Sequence, residues 1–131
     1  MIQKVTVQTS QKIEIINVTE MVTALLNDAQ SGIVLFSVPH TTAALIICED
    51  EDDLRADIAR AVENWLAHVR PFKHSRHNNP NAEAHILGAT LGASVTLAIE
   101  NGQLNLGTYQ SVLLVELDGP RAREIHAVVI A

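Results

Sequence analysis

The chain has 131 residues, 47% of them apolar and 18% charged, enough for one folded domain whose core needs no disulfide or structural metal; a disordered chain is excluded. A formal net charge of −6 argues against a nonspecific nucleic-acid binder, whose affinity comes from neutralising phosphates with Lys and Arg. The lone cysteine, Cys48, excludes an intrachain disulfide framework and fits a reducing compartment.

The N-terminal stretch from Met1 to Val7 alternates polar and apolar residues and has no signal-peptide apolar core. No apolar run approaches the length of a membrane span, so a soluble, cytoplasmic protein with no membrane partner is expected. Two short strands are expected at Gln3 to Thr9 and Lys12 to Ile16. Thr19 is placed to cap a first helix with Met21, Val22, Leu25 and Leu26 on its apolar side and Ser31-Gly32 as its stop. The β-rich run Ile33 to Val38 reads as a central strand covered on both faces, ended by Pro39. Another strand follows at Ala43 to Cys48.

Five consecutive acids, Glu49 to Asp53, precede a helix whose apolar positions Leu54, Ile58, Ala61, Val62, Trp65 and Val69 recur at helical spacing. Capping chemistry accounts for Asp50 to Asp53, whereas Glu49 ends the preceding strand and stands apart from them. Pro71 closes the helix. Asn79-Pro80 reads as the N-cap and first residue of a short helix reaching about Leu91, with His85 in its second turn. Ser94 to Glu100 is a strand, Asn101-Gly102 a hairpin turn, and Gln103 to Leu106 begins the return. Strands at Ser111 to Leu117 and Arg123 to Ile130 flank the turn Asp118-Gly119-Pro120. The sum is a single domain over residues 1–131. Its expected fold class is α+β: two packed, mainly antiparallel β-sheets (a β-sandwich) with about three helices.

The polar loop between Phe72 and His85 holds three of the six histidines, His74, His77 and His85, with His40 available upstream. Imidazoles in this number, with Glu49 or Glu116, suit Zn or another borderline divalent ion, although the spacing matches no strict metal motif. Neutral histidines serve equally as proton-transfer groups. As a lone residue, His40 fits a structural hydrogen bond. Arg121 and Arg123 follow the glycine-proline turn and offer planar forks suited to phosphate, or else surface charge at a strand end. Cys48, in an apolar strand before a run of acids, reads as a buried, inert thiol.

Several stretches together carry a family resemblance: His40-Thr41-Thr42-Ala43, Glu49 with its acids, Phe72-Lys73-His74 and Asn81-Ala82-Glu83-Ala84-His85. It continues through Gly102-Gln103-Leu104, Leu106-Gly107-Thr108-Tyr109-Gln110 and Glu116-Leu117-Asp118-Gly119-Pro120-Arg121. The chain resembles, nearly end to end, the YjbQ-like family of small proteins, to which a secondary thiamine-phosphate synthase activity is ascribed. Phe72 and Tyr109 stand where the family has Tyr and Trp, and Cys48 where Asn is common; His77 matches no shared histidine and is read as a loop or supporting group. The resemblance implies a homotrimer with clefts between or near subunits. It implies a cluster of His40, His74 and His85 that takes a divalent metal (Zn, Ni or Mn) or acts in catalysis, with Glu49 beside it. Thr41, Gly107, Thr108, Gln110, Arg121 and Arg123 would contact a small phosphorylated substrate. The implied reaction joins a hydroxymethylpyrimidine diphosphate to a thiazole phosphate, with Mg²⁺ accompanying the diphosphate. A noncatalytic ligand-binding or metal-binding trimer, and histidines that merely stabilise the assembly, are the other readings.

Overall fold

The structure, a computed structural model, describes residues 1–74 and 80–131. Among them run β1 (Gln3–Gln8), β2 (Glu14–Asn17), α1 (Thr19–Thr23), β3 (Ser31–Ser37), β4 (Ala43–Cys48), α2 (Asp52–Asn64), α3 (Ala82–Leu91), β5 (Ser94–Glu100), β6 (Gln103–Leu104), β7 (Ser111–Glu116) and β8 (Ala122–Ile130). Single 3₁₀ turns follow α1 and α2, at Ala24–Leu26 and Ala67–Val69. One sheet has the order β1-β8-β3-β5-β6 and the other β2-β7-β4, with every pairing antiparallel. The expected α+β fold of two antiparallel sheets with three helices is the one observed.

The layers follow from period-2 patterning. Val34 and Phe36 of β3, Ile125 and Ala127 of β8 and Ile99 of β5 face Val112 and Leu114 of β7 and Leu45 of β4; Val18, Val22 and Leu26 close one end. The opposite face of β7, with Leu113 and Val115, packs on Val62 of α2 and on Ala84 and Leu87 of α3. β7 is therefore buried on both faces. Each such Leu or Phe contributes roughly 1.5–3 kcal/mol on burial, which makes this strand the backbone of the core.

The expected ends shift where tertiary contacts choose among eligible caps. Thr19 is the first residue of α1, and its Oγ1 accepts from the Val112 N–H at 2.9 Å while donating to Asn17 Oδ1 at 2.7 Å. The α1 segment stops at left-handed Asn27 (φ 54°), and Ser31 and Gly32 already belong to β3. Glu51 caps α2 by accepting from the Asp53 and Leu54 N–H groups, as acids before this helix should. The helix ends at Asn64, short of Pro71. α3 begins at Ala82 after Asn81; the expected cap Asn79 and the supporting His77 lie outside the described residues. Asn101 and Gly102 both have positive φ (54° and 75°), as a tight hairpin between β5 and β6 requires.

β3 is central in its sheet but is not covered on both faces. Ile33 and Leu35 on its outer side are 49% and 39% exposed. They pair with Ile130 and Val128 of β8 and with Ala98 and Thr96 of β5, which extends the apolar surface across three strands.

Candidate functional site

At the junction of the two sheets, Glu116 ends β7 on the same face as Val112 and Leu114, and Arg123 enters from β8. Both are buried, at 0% and 3% exposure. Arg123 Nε donates to Glu116 Oε1 at 2.9 Å, and its Nη2 donates to Glu116 Oε2 and to the Thr42 carbonyl and Oγ1 at 3.0 and 2.9 Å. Thr9 Oγ1 donates to Glu116 Oε1 at 2.7 Å and accepts from the Arg121 N–H at 2.8 Å. The N–H groups of Leu117 and Asp118 also donate to Glu116 Oε2. Burial by itself pushes the Glu116 carboxyl up, but the bonds from Arg123, Thr9 and the Asp118 N–H outweigh it, and the net shift is downward. Gly119 closes over this clasp: a Cβ there would lie 2.3 Å from the Gln11 carbonyl oxygen and 2.8 Å from Glu116 Cγ.

His40 sits beside the clasp. Its Nε2 accepts from the Glu124 N–H at 2.9 Å, so that nitrogen is unprotonated and the ring neutral. Its pKa is lowered, first by burial and then by the Arg123 charge, against the opposing pull of Glu124 and Glu116. The Glu124 carboxylate in turn accepts from His126 Nε2 at 2.7 Å.

The loop histidines form a separate group. His74 and His85 meet edge to face, with ring centroids 5.0 Å apart and planes at 81°. They line an open pocket of about 470 Å³ with Phe72, Lys73, Ala82 and Ile86, within the size range of small-molecule sites. α3 brings His85 here because Gly88, one turn later, lets the helix close on β4: a Cβ on Gly88 would lie 2.7 Å from the Thr41 carbonyl oxygen. His74 Nε2 lies 3.0 Å from Asn81 Oδ1; Asn81 Nδ2 donates to Asp118 Oδ2 at 2.9 Å, and Arg121 Nη2 to the same oxygen at 3.0 Å. Arg121 thus reaches the pocket side through Asp118, whereas Arg123 directs its donors at Glu116 and Thr42.

The remaining expected site residues lie elsewhere on the chain. Thr41 and Glu49 are exposed at the two ends of β4. Gly107, Thr108 and Gln110 are exposed in the turn before β7, where the Gly107 N–H donates to Gln110 Oε1 at 2.8 Å and Tyr109 is 73% exposed. Cys48 is half-buried at the end of β4. Among the described residues, no three His, Cys, Asp or Glu side chains gather to hold a metal ion. With its Nε2 engaged by Glu124, His40 does not join the His74–His85 pair in a three-imidazole centre within one chain. Sequence reasoning also missed a smaller cavity of about 140 Å³ between α2 and α3, floored by Val62, Leu87 and Leu117 and rimmed by Lys12, Arg70 and Glu83. Its rim pair, Arg70 and Glu83, is bidentate, but the partners stand thirteen residues apart with no local pattern to join them. The role of Asn81 was equally hidden, since its neighbours become neighbours only on folding.

Fold and site define a two-sheet α+β domain with an imidazole-bearing pocket on its helical side and a buried carboxylate–guanidinium clasp between its sheets. The chain belongs to the family described as UPF0047 protein YjbQ-like, whose model matches residues 3–131. It is 39% identical over 122 residues to a UPF0047 protein of Archaeoglobus fulgidus, covering 93% of this chain and 95% of that one. It is 38% identical to UPF0047 protein YugU of Bacillus subtilis, covering 96% of each. A crystal structure of a hypothetical protein from Aeropyrum pernix K1 superposes with a TM-score of 0.92 at 32% identity, over 100% of this chain and 98% of that one. A YbjQ-like protein of unknown function from Sulfolobus solfataricus P2 gives 0.89 at 33%, over 97% and 94%. None of these names states a reaction.

Proposed function

We propose that the pocket between Phe72 and Ile86 binds a small phosphorylated heteroaromatic ligand and that the chain is a transferase of the thiamine-phosphate synthase type. The observation that carries this reading is the edge-to-face His74–His85 pair beside Phe72 and Lys73. A flat apolar wall suits a heteroaromatic ring, and Lys73 with two imidazoles suits a diphosphate. In the transfer, the carbon–oxygen bond to the diphosphate breaks and the oxygen keeps the electron pair. The thiazole nitrogen lone pair forms the new carbon–nitrogen bond. Negative charge gathers on the departing pyrophosphate, where the Lys73 ammonium stabilises it and the two imidazoles hydrogen-bond to it. Mg²⁺ accompanies the diphosphate, as hard cations prefer its oxygens. Zn, Ni or Mn at the histidines would need donors beyond the two imidazoles that one chain brings together, since Zn usually takes four.

Assembly as a homotrimer in the cytoplasm belongs to the same reading, supported by the exposed apolar surface of β3, β5 and β8. In that assembly His40, Glu49, Thr41, Gly107, Thr108 and Gln110 complete the cleft. Pyrophosphate release from the pyrimidine diphosphate and thiazole phosphate pair tests the reaction. His74→Ala and His85→Ala should each lower kcat by about 10²-fold, the scale of losing one positioned electrostatic or proton-transfer group. Full activity in both variants would remove the pocket from the mechanism.

The openness of the pocket favours a second reading. His74 is exposed, whereas separating a diphosphate from a carbon centre is helped by excluding water. A ligand-binding protein without turnover fits that exposure. Calorimetric titration showing one pyrophosphate bound per chain, with no product from the substrate pair, would select it.

A further inference from the structure

Asn81 occupies the position before the first residue of α3, where an Asn side chain ordinarily accepts from the first-turn N–H groups. It makes no such bond. Its amide is turned away from the helix, with one end on His74 and the other on Asp118. The orientation of that amide follows from its partners. Asp118 holds Arg121 at 3.0 Å as an ion pair, so its carboxylate is an acceptor and the Asn81 group facing it is the NH₂. The Asn81 carbonyl oxygen must then face His74. A carbonyl oxygen only accepts, so the His74 nitrogen 3.0 Å away, Nε2, carries the proton.

We infer that Asn81 is a positioning residue that holds His74 as the Nε2–H tautomer, leaving Nδ1 as the lone pair this ring offers a ligand. The chain Arg121–Asp118–Asn81–His74 transmits a fixed charge at one end into a fixed proton position at the other. Free imidazole exchanges between two neutral tautomers, so without the amide the ring would present either nitrogen. The group that meets Nδ1 must be an electron-pair acceptor, namely a proton donor on the ligand or a cation. Forgoing the helix cap is the second mark of this role, because the bond given up is one that Asn is well suited to make. The inference rests on the proposed use of His74 at the pocket, but its test does not pass through activity.

Long-range ¹H–¹⁵N spectra of ¹⁵N-histidine-labelled protein, at a pH where the ring is neutral, read the tautomer directly. Wild type should show His74 with a pyrrole-type Nε2 and a pyridine-type Nδ1. Asn81→Ala, which removes no capping bond, should give averaged shifts. An Nδ1–H tautomer in wild type, or unchanged His74 shifts in Asn81→Ala, would overturn the inference. Titrating inorganic pyrophosphate into the same sample separates the two ideas. If the His85 resonances do not move while the His74 tautomer stands as expected, the proposed ligand fails and the positioning role remains.

Discussion

Glu116 and Arg123 are opposite charges buried in contact, and removing one strands the other away from water. Glu116→Gln should therefore cost about 3–5 kcal/mol in urea unfolding, the range for breaking a buried pair. Replacing both by apolar residues of similar volume should cost less than either single change, since no charge is then orphaned. The clasp also sets a pH dependence. The Glu116 carboxyl, resisted by burial but held by Arg123 and Thr9, has a folded pKa below the unfolded one. Its stabilisation is present above the ordinary carboxylate range and fades as pH falls through that range toward the lowered folded value. His40 acts in the same direction at milder acidity. Its pKa is lowered by burial and by Arg123, so the folded state prefers the neutral ring. That preference contributes fully above about pH 6.5 and is lost as pH falls below it. Protonation also removes the acceptor for the Glu124 N–H. The urea midpoint should fall as pH drops below about 6.5, and His40→Asn should flatten that fall.

Among the helices, α3 is the one held against a strand end by a glycine. Gly88→Ala would set a methyl group against the Thr41 carbonyl, so an overpacking loss of about 1–3 kcal/mol is expected in thermal unfolding. His85 shifts should move with it. The sequence made β4 and β5 legible to the residue, because Pro39 precedes one, Asn101-Gly102 follows the other, and β-branched and apolar residues dominate both. Helix ends were less legible, for a physical reason. Several residues near each end are chemically able to cap, and contacts distant in sequence decide among them: Val112 engages Thr19, while His74 and Asp118 engage Asn81. The histidine loop could be picked out by composition, and Glu116 by a charge on an apolar strand face. Their partners could not, since the Glu116–Thr9 and Arg123–Thr42 bonds span 107 and 81 residues. The outer face of β3 was misjudged because an apolar strand looks the same whether a helix or nothing in its own chain covers it.

For the whole molecule, that uncovered face is the testable feature. Ile33, Leu35, Val128 and Ile130 make a continuous apolar strip on a chain that is otherwise acidic. Sedimentation equilibrium should give a trimer for wild type and a monomer for Leu35→Glu, which sets a charge in the strip without touching the inner core. A monomeric wild type would remove the assembly from the proposal. The clasp has its own consequence for the order of events during synthesis. It joins the end of β1 and the start of β4 to the end of β7 and the start of β8, so it cannot close until Arg123 has left the ribosome. β3, β4 and the helices must wait with Thr9 and Thr42 unpartnered, since bringing together such distant segments is entropically slow. A nascent chain arrested before residue 123 should therefore remain protease-sensitive at its N-terminal strand, and one extended past β8 should become resistant in a single step.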